Sequence, residues 1–142
     1  MRDALAGLSL LVLWLFAPSM AAGVDRPAGG ASLGKIDLAT EEMVVCAAVR
    51  DRVPAGVADT FPSDIFGVYC YTKLVGARSA TTVRHVWFRG ETKMGEIILP
   101  VRSLPWRTWS IKEMREGWKG DWRVDLLGSD GTVIASKKFF MK

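Results

Sequence analysis

"DWRVDLLGSDGTVIASKKFFM", residues 121 to 141, decides the fold. In "DWRVDLL" Trp122, Val124 and Leu126 fall on one side of an extended chain, and Arg123, Asp125 and Leu127 fall on the other. That alternation belongs to a strand with one buried face, so Trp122, Val124 and Leu126 are assigned to the core. "GSDG" follows, and Asp130-Gly131 signals a hairpin because glycine accepts the positive φ that tight turns need. "VIASKKFFM" then returns as a second strand.

The same grammar extends upstream. "ATTVRHVWF", the turn "RGETK" and "EIILPV" read as a hairpin, with Trp87 expected in the core. Pro100 lacks an amide donor, which places its strand at an edge or near a bulge. "EEMVVCAAV" and "GVYCYTKLV" are further apolar, β-rich runs, and the stretch between them, residues 50–66, is punctuated by Pro54, Gly56 and Pro62. It reads as a long connection crossing from one sheet to the other. About seven strands spaced in this way predict an all-β domain, a single antiparallel β-sandwich of immunoglobulin-like type. A small β-barrel is the alternative.

Residues 105–124, "PWRTWSIKEMREGWKGDWRV", hold four of the six tryptophans. Pro105, Gly117 and Gly120 argue against one helix and divide the stretch into a strand "WRTWS", a polar turn, and a new strand from Asp121. On that first strand Trp106, Thr108 and Ser110 face one way and Arg107, Trp109 and Ile111 the other, so only one of the two indoles can serve the core.

The N-terminus is of another kind. Arg2, an apolar run from Leu5 to Phe16, and the small residues of "PSMAAG" read as a secretory signal peptide over residues 1–21, cut after Ala21. An uncleaved signal anchor is the alternative. Residues 22–38 read as a Gly- and Ala-rich tether and 39–142 as the folded domain. The expected location is therefore periplasmic or extracellular, with no stable transmembrane span after cleavage.

Export changes how the cysteines are read. Cys46 and Cys70 are the only two, and in an oxidising compartment they are disulfide candidates. Such a bridge would stabilise by about 3 kcal/mol. Two buried inert thiols are the rival reading, and geometry decides between them. One histidine and two separated cysteines make no metal-ligand pattern, so no metal and no cofactor are expected.

The series "VCAAVRDRVPAG", "TVRHVWFRG", "LPVRSLPWRTWSIKEM" and "GWKGDWRVDLLGSDGTVIASKKF" resembles the bacterial family of domain of unknown function 2914, over about Val45 to Met141. The resemblance implies a small β-rich envelope domain. It implies no activity and assigns no catalytic role to any residue.

Catalytic motifs are missing. No GxSxG elbow, GxGxxG or GxxxxGK[ST] segment occurs, and the spaced carboxylates Glu91, Glu96, Glu113 and Glu116 suit a solvated surface. His85, the one side chain that titrates near neutrality, alternates with Val83 and Trp87; it reads first as a structural group and second as a ligand contact. The chain carries 19 basic and 15 acidic residues, a formal charge of +4, and residues 102–123 hold six of the basic groups against three acids. Basic groups interleaved with aromatics suit an envelope protein, an anionic glycan or a lipid headgroup, while export argues against nucleic acid.

The expectation is accordingly a non-catalytic exported binding or protein-interaction module of the bacterial cell envelope. Its candidate contacts are Arg107, Trp109, Trp118, His85, Lys112 and Arg115. The alternatives are a carbohydrate-binding module using exposed tryptophans and, more distantly, a hydrolase centred on His85.

Overall fold

The computed structural model describes residues 38–76 and 79–142. The signal-peptide and tether assignments fall on residues 1–37 and lie outside the described residues, apart from Leu38.

The described residues form nine strands: β1 Ala39–Arg50, β2 Val53–Val57, β3 Thr60–Phe61, β4 Gly67–Val75, β5 Thr81–Arg89, β6 Thr92–Val101, β7 Trp106–Glu113, β8 Gly120–Leu127 and β9 Val133–Met141. They build two sheets, one in the order β2-β1-β4-β7 and the other β3-β9-β8-β5-β6, with no closed barrel. Pairing is antiparallel throughout except for β3, which runs parallel to β9. The sandwich is the one the alternation predicts, but with nine strands where about seven were expected. The two additional strands, β2 and β3, sit inside the 50–66 connection, where the prolines and Gly56 masked short pairing segments.

Alternation carries the core. Trp122, Val124 and Leu126 of β8 point inward with Val83, His85 and Trp87 of β5 and with Phe139 and Met141 of β9. From the facing sheet come Val45 of β1 and Val68, Cys70 and Leu74 of β4. Around Trp87 and Trp122 the rings meet in sequence: Trp122 stacks on Phe139 at 6.0 Å, and Phe139 is met edge-on by Trp87 at 6.1 Å and Phe61 at 5.9 Å. Edge-to-face and offset contacts of this kind add about 0.5–1.5 kcal/mol per pair beyond area burial.

The turns follow the chemistry read from the residues. Gly90 closes the β5–β6 hairpin at φ 56°. The β8–β9 turn is fastened by the Gly128 amide donating to the Thr132 carbonyl at 2.9 Å, and by the Thr132 amide donating to Asp130 Oδ1 at 2.9 Å. That second bond holds the Asp130 carboxyl below its usual range. At the start of β4 the backbone passes so close to β7 that a Cβ on Gly67 would lie 2.8 Å from Ile111 Cδ1. A larger residue there would have to displace the Ile111 side chain.

The disulfide expectation is corrected. Cys46 and Cys70 are both free and buried. In the β1–β4 ladder Cys70 stands opposite Val45, while Cys46 stands opposite Tyr69. Neighbouring positions on a strand point to opposite faces, so the Cys70 thiol enters the core and the Cys46 thiol leaves by the other side of the sheet. Burial pushes both thiols up, Cys70 to about 12, which keeps them protonated and inert.

Candidate interaction surface

β7 sorts its side chains by parity. Thr108 and Ser110 face inward, and Trp106 leans on the core around Leu74 and Val101. Arg107, Trp109 and Ile111 take the outer face. Arg107 is exposed and makes no ion pair among the described residues. Trp109 is half-buried and stacks on Tyr71, its partner across the β4–β7 ladder, with ring centroids 6.4 Å apart and planes inclined by 16°. Tyr71 is itself 2% exposed. The indole is therefore held in one orientation beside a free guanidinium, on a strand paired along its whole length.

Trp118, Lys112 and Arg115 form a separate cluster at the end of the sandwich. The Lys112 ammonium lies 5.5 Å and the Arg115 guanidinium 5.3 Å from the Trp118 ring centroid. The indole packs against Trp122 at 5.8 Å, and Trp122 Nε1 donates to the Trp118 carbonyl at 3.1 Å. Arg89 braces the same loop by donating to the carbonyls of Gly117 at 3.1 Å and Lys119 at 3.2 Å. Strand rise of about 3.3 Å per residue puts Arg107 roughly 16 Å from Lys112 along β7. The stretch that reads as one basic, aromatic segment thus divides into two places.

His85 belongs to neither. It is fully buried between the sheets, with Nδ1 2.7 Å from Ser110 Oγ on β7 and Nε2 3.0 Å from Thr72 Oγ1 on β4. Trp87 Nε1 donates to the same Ser110 hydroxyl at 3.3 Å, and Cys70 Sγ lies 3.9 Å from Nε2. Hydroxyls donate and accept, so both ring nitrogens and the indole N–H are satisfied in the neutral state. Burial, with no carboxylate in contact, lowers the imidazole pKa to about 4. Sequence reading missed Thr72, Ser110 and Tyr71. The available signal was a hydroxyl at an inward position of an apolar strand, since such a group needs a buried partner.

On the outer face of the five-stranded sheet, Glu96 accepts from Arg84 at 2.9 Å and from Lys93, which hold its carboxyl below the usual range. Asp125 accepts from Arg123 Nε at 2.9 Å and Ser136 Oγ at 2.7 Å. These charges are spent on one another. A cleft of about 590 Å³ opens between the start of β1 and the β8–β9 turn, and none of the candidate contact residues lines it. Among the described residues no His, Cys, Asp and Glu side chains gather into a metal-holding set, and no helix is long and apolar enough to cross a membrane.

The fold and its buried polar core define an all-β, two-sheet sandwich domain. Residues 80–141, from the approach to β5 through β9, match the family described as "Protein of unknown function (DUF2914)". The match bears out the resemblance and contains "RHVW", "WRTWS" and "WKGDWRV", while β1 to β4 lie outside it. No curated protein matches the chain. A solved structure of an endonuclease/exonuclease/phosphatase from Beutenbergia cavernae DSM 12333 is similar at 14% identity and a TM-score of 0.30, covering 73% of this chain and 35% of that one. The chain thus spans about a third of that protein's length, and a likeness at this score carries no argument about fold or activity.

Proposed function

We propose that this chain is a non-catalytic, exported interaction module of the cell envelope that contacts its partner through the Arg107–Trp109 face of β7. The carrying observation is the exposed guanidinium of Arg107, outside every ion pair among the described residues, beside an indole that stacks on Tyr71. Tryptophan, tyrosine and arginine dominate binding energy at protein interfaces, and a side chain already held in place loses little entropy on binding. Export is supported by the charge and apolar pattern of residues 1–21.

Burial of His85 supports the non-catalytic reading, because a fully covered imidazole meets no substrate. The carbohydrate reading finds less support in the described tryptophans. It needs two exposed, coplanar rings, yet Tyr71 is covered and cations lie over Trp118.

The test is capture from envelope extracts by the purified chain and by its Arg107→Ala variant. Loss of a specific captured component with the variant is expected; equal capture by both removes this face from consideration.

A further inference from the structure

β7 is an edge strand, so only one of its sides meets β4. The Met114 amide donates to the Phe66 carbonyl at 2.8 Å, and the ladder from Glu113–Gly67 to Trp106–Leu74 runs without a register shift. In an antiparallel ladder, pairs that exchange both hydrogen bonds alternate with pairs that exchange none. The Phe66–Met114 bond sets the phase: the backbone groups of Trp106, Thr108, Ser110 and Lys112 turn toward β4. Those of Arg107, Trp109, Ile111 and Glu113 turn to the open side, and among the described residues no hydrogen bond ends on them.

The outermost strands other than β7 are blunted, and β9, which β3 covers only at Phe140 and Met141, carries Lys137 and Lys138 along its uncovered part. β6 carries Pro100 and a bulge, and Lys112 Nζ donates to its Met94 carbonyl at 2.9 Å. β2 is five residues long with Pro54, and β3 has two residues. Proline, bulges, short length and lysine are the devices that protect sheet edges, and β7 has no proline and no bulge.

We infer that β7 pairs antiparallel with β7 of a second copy of this chain, joining the two four-stranded sheets into one continuous sheet. A twofold axis allows three registers that pair at least three of the four open-side residues of β7. Centring on Trp109 places Arg107 against Ile111. Centring on Ile111 places Trp109 against Glu113. Centring on Ser110 places Arg107 against Glu113 and Trp109 against Ile111, each twice. Only this last register matches charge with charge and apolar with apolar. Arg107 and Glu113 are both exposed and outside every ion pair among the described residues. Cross-strand pairs of these kinds stabilise antiparallel pairing, and the contact is isologous, so it closes at two copies. The inference rests on reading this face as an interaction surface and names its partner.

The test is sedimentation of the purified full chain at tens of micromolar, with three charge variants and Ile111→Pro. Wild type is expected at twice the chain mass. Arg107→Glu and Glu113→Arg each weaken the dimer by about tenfold, and the double reversal restores it to within about threefold. Ile111→Pro removes an outward amide without touching the β4 ladder, so it abolishes dimerisation while circular dichroism stays unchanged. A monomeric wild type overturns the inference, as does a dimer indifferent to charge reversal. If the wild type is monomeric and Arg107→Ala still loses envelope capture, the dimer fails and the proposed function stands. If capture is also equal, both fail.

Discussion

His85 on β5 and Ser110 on β7 meet across the two sheets, imidazole Nδ1 2.7 Å from hydroxyl oxygen. Through Thr72 at the other ring nitrogen and Trp87 at the same hydroxyl, one histidine ties three strands together inside an otherwise apolar core. A buried polar network that is fully satisfied rigidifies a core, and the same low dielectric makes each broken bond expensive.

Stability should therefore fall on mild acidification. Burial lowers the folded-state pKa of His85 to about 4 from an ordinary 6.5, so between those values the unfolded chain binds more protons. The contribution is complete above pH 6.5 and is lost as pH falls through this window. His85 is the chain's only histidine, so urea unfolding at pH 7 and pH 5 should differ by about 2 kcal/mol.

Removing the shared hydroxyl strands two partners. Ser110→Ala leaves the Trp87 indole N–H without an acceptor and one His85 nitrogen unpaired, and should cost about 1–3 kcal/mol by denaturant titration. Because Ser110 faces the core, envelope capture by the folded variant should equal that of wild type.

The tryptophans should separate by face. Trp122→Ala opens the Phe139 stack and a fully packed site, and should cost about 3–5 kcal/mol. Trp109→Ala removes one outer-face stack on Tyr71 and should cost about 1 kcal/mol. Thermal unfolding of the two variants side by side measures the difference.

Both thiols should remain free in the exported protein. A thiol reagent should find two per chain after denaturation and none in the native state, and reductant should leave the melting temperature unchanged. A bridge would require β1 to slip by one residue, which would turn Val45 out of the core.

The strands β5 and β8 are legible because Val83, His85 and Trp87, and Trp122, Val124 and Leu126, repeat at period two beside glycine turns. β2 and β3 were hidden because Pro54, Gly56 and Pro62 carry the same signature in an edge strand as in a loop. The division of residues 105–124 into strand, turn and strand is legible in Pro105, Gly117 and Gly120, but whether Trp118 joins Arg107 depends on where the turn carries it, and an extended strand separates residues quickly. His85 was seen, but its partners, 13 and 25 residues away, were set by strand order. Strand order also leaves β7 at the edge, and alternation within a strand carries no information about that.

The central claim is that the Arg107–Trp109 face makes the contact and the Trp118 cluster does not. The most direct measurement is envelope capture by Arg107→Ala, Trp109→Ala and Trp118→Ala chains, each first shown folded by circular dichroism. Loss of capture with the first two and retention with the third is the predicted result. Retention with the first two and loss with Trp118→Ala would contradict it.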